Sequence, residues 1–327
     1  MPRRALDLLC IMPEDPVEAV LASGLVRRLH DELPTARFTI VAGDESAPLW
    51  RDTPGLERLI AAEPGNDWRE WLELWRRLRD RRWALVLDTR GTPIHRYLKT
   101  SKRAIRQPGG APAHRVLEAA HLLRLEDDPP APFLFTGEEV EAQAEALAPA
   151  GGPILALAPT GPWVGAVWPI ERYGLTLAQL LGREGPLPGA RLMLLGGSGD
   201  WKAVDSLRRA VGPERFIDLT GEDLLTCYAC LKRARLFVGG ATVFMHLAAA
   251  SSCPTLGLFG PTDEKLYAPW GSSARFVRGT RSFEAIRQND PNLNQPVCHM
   301  LHISVDAVLA AARSLLRDTA QVEAADA

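Results

Sequence analysis

Residues Leu236 to Gly271 read L-F-V-G-G-A-T-V-F-M-H-L-A-A-A-S-S-C-P-T-L-G-L-F-G-P-T-D-E-K-L-Y-A-P-W-G. An apolar run stops at Gly239-Gly240. A small turn of Ala241 and Thr242 follows, and a helix carrying His246 and three alanines, Ala248 to Ala250, begins. A second apolar run, Thr255 to Phe259, ends in Gly260-Pro261-Thr262. Strand, turn, helix and strand in that order predict a βαβ unit of a parallel sheet. A helix that opens after a glycine turn presents free N–H groups and the positive end of its dipole, which suits a diphosphate. The small alanine face lets that helix pack close to the sheet.

The same rhythm extends in both directions. Upstream in this half, strands are predicted at Ile154 to Ala158, Arg191 to Leu195, Phe216 to Asp218 and Leu236 to Val238. Helices are predicted at Ile170 to Leu181, Lys202 to Val211 and Leu224 to Arg233, with a last one at Ser304 to Leu316. The first half repeats the pattern. Its strands are Leu6 to Met12, Arg37 to Ala42, Leu59 to Ala61 and Trp83 to Leu87, and its helices are Val17 to Leu33 and Asp67 to Arg82. Trp68, Trp71 and Trp75 form a stripe on the last of these, read as core packing. Asp127 to Pro153 is rich in Pro and Gly and reads as a linker with a short strand or helix inside it. The expectation is two α/β domains, 1–150 and 151–327, facing a central cleft between the carboxyl ends of their strands, with the last helix packing back on the first domain.

Composition excludes several classes. The chain has 327 residues, 46% hydrophobic and 24% charged, a globular balance long enough for two domains. A net charge of -2 argues against a nucleic-acid-binding protein. Charge is uneven, however: between Arg69 and Arg124 there are 14 Lys/Arg against 5 Asp/Glu. Such a surplus can hold an anionic ligand. Lys102, Arg103 and Arg106 are the candidates for contact with such a ligand. Five cysteines, an odd number, speak for a reducing compartment, and Cys227 and Cys230 read as helix cysteines because no second Cys/His pair stands at zinc spacing. No apolar run reaches the roughly 18 residues that span a bilayer, and the N-terminal apolar run is too short for a signal peptide. The expected location is the cytoplasm, with peripheral contact at the inner face of the inner membrane.

The stretch from Leu236 to Thr262 resembles the signature of glycosyltransferase family nine, the ADP-heptose:lipopolysaccharide heptosyltransferases, roughly F-I-G-N-D-S-G-x-M-H-L-A-A-A-x-x-x-P-x-x-x-L-F-G-P-T. Leu194 to Asp200 (L-L-G-G-S-G-D) resembles the family's strand-to-GGxGD turn, and Asp218-Leu219-Thr220-Gly221 its L-T-G segment. Trp168-Pro169 with Arg172-Tyr173 resembles its K-R-W-P-x-E-R-F. In the first half, Leu33-Pro34 and Leu85-Val86-Leu87-Asp88 with Gly91 are similar to its F-P and V-I-D-x-x-G. The resemblance implies a GT-B fold of two Rossmann-like domains, an N-terminal acceptor domain and a C-terminal nucleotide-sugar domain. It implies an inverting, metal-independent transfer of a heptose-like sugar from a nucleoside diphosphate donor such as ADP-heptose to a cell-envelope glycan such as the lipopolysaccharide core. The partners so implied are a nucleotide sugar and an anionic glycolipid or glycan, and no cofactor is implied. The chain carries no D-x-D metal motif. Carried over to this chain, donor contacts fall on Thr160, Gly161, Gly196, Gly197, Gly240, Thr242, His246, Gly260, Thr262 and Lys265.

The departures from that pattern bear on catalysis. The family's general base is the Asp of a Gly-Asp pair, and Val17 and Glu18 stand there. Glu18 is therefore the first candidate base, with Asp15, and beyond it Glu14, as alternatives in the same loop. Ala166 replaces the Lys before R-W-P, and Ala241 replaces the Asp of N-D-S-G. Losing a cation beside a departing diphosphate removes transition-state stabilisation, and Lys265 is the candidate substitute. The alternative function is a non-catalytic descendant that binds a nucleotide sugar or glycan. A nucleotide-sugar epimerase is a third reading on fold alone.

Overall fold

The computed structural model describes residues 5–62, 68–107, 109, 112–197, 199 and 205–326, with side chains to residue 321. The chain divides into two compact units, residues 1–137 and 138–327.

The first unit is built on β1 (Asp7–Ile11), α1 (Pro16–Glu32), β2 (Arg37–Ala42), β3 (Leu56–Ala61), α2 (Trp68–Leu78), β4 (Trp83–Asp88), β5 (Thr100–Ile105) and α3 (Arg115–His121). Its sheet has the order β3-β2-β1-β4-β5, with every pair parallel. The central strands are nearly continuous apolar runs because helices cover both faces. Chain order reverses between β1 and β4, so the crevice beyond their carboxyl ends is the switch point at which such sheets bind ligands.

Helix α1 starts where the sequence predicts. Asp15 caps it by accepting the Glu18 N–H at 3.0 Å, and Pro16 sits at the first helical position. The segment after α3, read from sequence as the start of a linker, is docked on α1. Ser23 Oγ accepts the Phe133 N–H at 2.9 Å, and a Cβ on Gly24 would lie 2.4 Å from the Pro130 carbonyl oxygen and 2.5 Å from that of Ala131. Those are backbone atoms, so Gly24→Ala forces helix and segment apart. The expected loss is about 1–3 kcal/mol, measurable as a lower midpoint in urea unfolding, whereas Ala22→Ser should cost less.

The second unit contains α4 (Glu138–Leu147), β6 (Ile154–Ala158), α5 (Ile170–Leu181), β7 (Arg191–Gly196), α6 (Asp205–Val211), β8 (Phe216–Thr220), α7 (Leu224–Leu231), β9 (Leu236–Gly240), α8 (Val243–Ala250), β10 (Thr255–Phe259), α9 (Glu264–Tyr267), β11 (Ala274–Arg278), α10 (Phe283–Asn289) and α11 (Val305–Asp326). The sheet order is β11-β10-β9-β6-β7-β8, again all parallel. Its switch point lies between β6 and β9.

Several boundaries differ from the sequence-based expectation. Helix α4 falls within the stretch read as linker and groups with the second unit. It packs on α7, with Lys232 on Glu141 at 2.7 Å and Thr226 Oγ1 on Gln143 at 3.2 Å. The last helix, expected to pack back on the first domain, buries Val308, Leu309, Ala312 and Leu315 against the core of its own unit, beside α5 and β11. Helix α2 ends at Leu78 rather than Arg82. Leu74 and Leu78 are its buried residues, Trp71 and Trp75 flank them, and Trp68 is 66% exposed. Strands β5 and β11 were not anticipated. Both lie at sheet edges, where polar side chains alternate too weakly to signal a strand. Asp67 and the residues 202–204 of two predicted helices lie outside the described residues. Cys227 and Cys230 are free and buried in α7, and burial pushes the Cys230 thiol up to about 12 and that of Cys227 higher. Among the described residues no helix is long and apolar enough to cross a membrane.

Candidate active site

In the first unit a small pocket opens at the switch point, lined by Pro13, Glu18, Thr89, Arg106, Arg115 and Glu118 among others. Pro13 follows β1 and Thr89 follows β4, and Thr89 Oγ1 bonds the Ile11 carbonyl at 2.9 Å, tying the two strand ends together. Arg106 directly follows β5, and its N–H donates to the Asp88 carbonyl at 2.9 Å. Buried Asp88 accepts the backbone N–H groups of Arg90, Gly91 and Thr92 at 3.0, 2.9 and 2.9 Å, which closes the turn after β4. Gly91 adopts φ 72°, and a Cβ there would stand 2.7 Å from the Arg106 carbonyl oxygen. The Asp-x-x-Gly pattern is thus explained by backbone geometry.

The pocket carries a chain of alternating charges. Glu18 pairs with Arg115 at 3.2 Å, Arg115 with Glu118 at 2.6 Å, and Glu118 with Arg106 at 3.2 Å. The other carboxylates of the β1–α1 loop are also engaged. Glu14 pairs with Arg90 at 2.7 Å, and Asp15 is the helix cap. Of the three, Glu18 alone borders the pocket. The three predicted acceptor cations are not brought together. Arg106 reaches the pocket, Lys102 is exposed on edge strand β5, and Arg103 is spent on the carbonyls of His95 and Leu98 at 3.2 and 3.1 Å. Alternation along β5 turns Arg103 away from the face of Lys102, and Arg106 stands beyond the strand's end, roughly 13 Å of extended chain from Lys102. Arg115 and Glu118 were missed. An i, i+3 pair on a short helix gives no signal until the fold brings it to Glu18.

In the second unit the predicted glycines converge. Gly260, Gly240, Gly161 and Gly196 stand at or just after the carboxyl ends of β10, β9, β6 and β7, four consecutive strands of the sheet. Their roles differ. A Cβ on Gly260 would meet Met300 Sδ at 2.3 Å, and one on Gly239 would meet Phe237 Cζ at 2.7 Å and the Ala158 carbonyl oxygen at 3.0 Å. Those two glycines are required by packing. A Cβ on Gly240 would find only the Ala166 carbonyl oxygen at 3.6 Å, and one on Gly161 the same oxygen at 3.4 Å and Val167 Cγ2 at 3.4 Å. Each therefore has room for a Cβ in ordinary contact, although Gly240 is itself buried, and the turns after β6 and β9 meet at Ala166.

Thr242 is the N-cap residue of α8, yet its side chain makes no capping bond. Its hydroxyl is buried and without a hydrogen-bond partner among the described residues. The N–H groups of Met245 and His246 bond the Thr242 carbonyl at 3.1 and 3.5 Å, which leaves those of Val243 and Phe244 to another acceptor. His246, one turn along α8, is buried. The Gly260-Pro261-Thr262 turn is held by Arg278 of β11, which donates to the carbonyls of Gly260, at 2.6 Å, and Thr262, and pairs with Glu264. Arg278 was not predicted, because its strand was not. Thr160 lies in the turn after β6, and Gly197 follows β7; Ser198 and Asp200 of the glycine turn lie outside the described residues. Lys265 is 73% exposed and pairs with Glu284 at 2.9 Å, an interaction that holds the Glu284 carboxyl down at about 2. It is committed to a surface ion pair rather than to the strand ends. Among the described residues no cluster of three His, Cys, Asp or Glu could hold a metal.

Comparison with known proteins gives the family and the fold. The model of glycosyltransferase family 9 (heptosyltransferase) matches residues 95–296. No curated protein sequence matches the chain. Among solved structures, the family 9 glycosyl transferase of Veillonella parvula superposes with a TM-score of 0.78 at 17% identity, covering 97% of this chain and 99% of that one. The ADP-heptose lps heptosyltransferase II of E. coli gives 0.73 at 18% identity, covering 96% and 99%. TibC, an iron-containing dodecameric glycosyltransferase of enterotoxigenic E. coli, gives 0.57 at 13% identity, covering 96% and 77%. These likenesses support the fold, two Rossmann-like α/β units of the GT-B class. With a family match over more than half its length, the chain belongs to glycosyltransferase family 9, the heptosyltransferases.

Proposed function

We propose that this chain transfers a heptose-like sugar from a nucleoside diphosphate donor, held by the second unit, to a hydroxyl of an anionic cell-envelope glycan held by the first. The observation that carries this reading is the buried Thr242 hydroxyl, without a hydrogen-bond partner among the described residues, at the start of α8, beside Gly240, where there is room for a Cβ. The helix N-terminus and that hydroxyl supply donors for a diphosphate. Glu18 takes the proton of the attacking hydroxyl, the oxygen displaces the diphosphate from the anomeric carbon, and configuration inverts. The donor with adenine as base is suggested by the name of the E. coli relative. A second reading, binding without transfer, is favoured by one observation: Glu14, Asp15 and Glu18 are all engaged by other groups. ADP appearing from ADP-heptose only when acceptor is added supports transfer. Bound ADP-heptose that never turns over supports binding alone.

Two expectations follow from this reading. Nucleotide binding and turnover should survive EDTA, since charge on the leaving group is met by backbone and hydroxyl donors. Restoration of lost activity by iron or Mg²⁺ would show a metal requirement. On the acceptor side, Arg106→Ala should raise the KM for an anionic acceptor by about 10-fold, the value of one charge-assisted hydrogen bond. Lys102→Ala should leave it nearly unchanged, and equal effects of the two would return the acceptor to the exposed face of β5.

A further inference from the structure

Asp290 and His299 form a buried pair that the assignments above do not use. Asp290 follows α10, His299 lies in the loop before α11, and they are 1% and 5% exposed. Imidazole Nε2 stands 3.2 Å from Asp290 Oδ2, and the carboxylate also accepts the backbone N–H groups of Asn294 at 3.2 Å and Gln295 at 3.1 Å. Burial pushes this carboxyl upward, but the Gln295 and Asn294 amides and the ring outweigh it and hold it below the usual carboxylate range. An anion at Oδ2 makes Nε2 the donor, which leaves Nδ1 of the neutral ring with a lone pair.

The position of the ring connects it with the strand ends. The His299 backbone N–H donates to the Gly165 carbonyl at 3.0 Å, in the turn after β6. Its ring meets Trp163 of the same turn edge-on, with centroids 5.6 Å apart. Its carbonyl oxygen would lie 3.4 Å from a Cβ on Gly260, in the turn after β10. His299 thus joins the turns of two strands that flank β9. Nδ1 itself is buried and has no hydrogen-bond partner among the described residues. Buried polar atoms are nearly always paired, and an exception at a ligand site asks for a cause.

We propose that His299 takes up a proton at Nδ1 when a nucleoside diphosphate occupies the second unit, making the Asp290–His299 pair a source of positive charge for the donor. The inference rests on the donor assignment proposed above. The Nδ1 lone pair receives a proton from solvent, imidazole becomes imidazolium, and no other bond changes. The diphosphate brings negative charge to the turns that His299 joins, where an imidazolium lowers its energy and a neutral ring does not. Asp290 balances the new charge on the far nitrogen. Of the other charged or titratable groups near this loop, His302 is exposed to solvent and three are engaged. Arg278 binds the Gly260 carbonyl and Glu264, Arg172 of α5 binds the carbonyls of Leu301 and Ile303, and the Cys298 thiol binds that of Val167.

Calorimetric titration of ADP into the full chain, in two buffers of different protonation enthalpy at about one unit above the ordinary His value, counts the protons. The expected result is an uptake of about one more proton per ADP in the parent than in His299→Gln, with ADP still bound by the variant. Equal proton counts in the two proteins overturn the proposal while leaving the donor assignment standing. Absence of any heat with ADP or UDP in the parent removes the donor assignment and the proposal with it. Should His299→Gln not fold, ¹⁵N-histidine spectra of the parent decide. The Nδ1 signal moves to its protonated position on adding ADP, and a signal that stays unprotonated in the complex overturns the proposal.

Discussion

Glu18→Gln is expected to lower turnover by about 10²–10⁴-fold, the usual worth of a positioned base, with donor affinity nearly unchanged. Glutamine keeps the length of the side chain and a carbonyl oxygen for Arg115, so the pocket stays assembled. What it loses is the ability to accept a proton. Asp15→Asn is the control, because Asn caps a helix about as well as Asp and the Glu18 N–H keeps its acceptor. A crippled Glu18→Gln beside a silent Asp15→Asn supports the assignment. If both transfer sugar like the parent, neither carboxylate is the base, and Glu14, now held by Arg90, is the next to replace.

Gly240→Val should weaken nucleotide binding by more than about 10-fold, or roughly 1.4 kcal/mol, while thermal stability changes little. The new side chain's Cβ meets only the Ala166 carbonyl oxygen, at 3.6 Å, and its methyls are expected to enter the space proposed for the diphosphate. Its neighbour supplies the contrast. Gly239→Ala drives a methyl to 2.7 Å from Phe237 and 3.0 Å from the Ala158 carbonyl oxygen, which lowers stability by about 1–3 kcal/mol. Paired titration calorimetry and thermal melts distinguish the two. A Gly240→Val protein that binds ADP normally would place the diphosphate elsewhere.

The central strands were legible from sequence because they are buried on both faces and read as unbroken apolar runs. β2, β6 and β10, with helices α5 and α8, begin and end at the expected residues. Edge strands β5 and β11 were hidden by their polar side chains, and Arg278 was hidden with them. The glycines of the donor side announced themselves as punctuation at strand ends, but punctuation does not separate Gly239 and Gly260, where neighbouring atoms fill the place of a Cβ, from Gly240, where there is room for one. That distinction needs coordinates. Pairings between distant elements were the least legible. Glu18 meets Arg115, and Asp290 and His299 meet across an irregular loop, with no shared spacing to mark any of them. Lys102, Arg103 and Arg106 read as one surface in sequence, and the Arg103 carbonyl contacts and the place of Arg106 beyond the end of β5 divide it.

Transfer itself is tested most directly by mixing the protein with ADP-heptose, with and without a phosphorylated lipopolysaccharide core acceptor, and following free ADP and the mass of the acceptor. The predicted result is ADP release that depends on acceptor, together with an acceptor heavier by one heptose. ADP-heptose that binds stoichiometrically, yet yields neither ADP nor modified acceptor with any anionic glycan supplied, would contradict it.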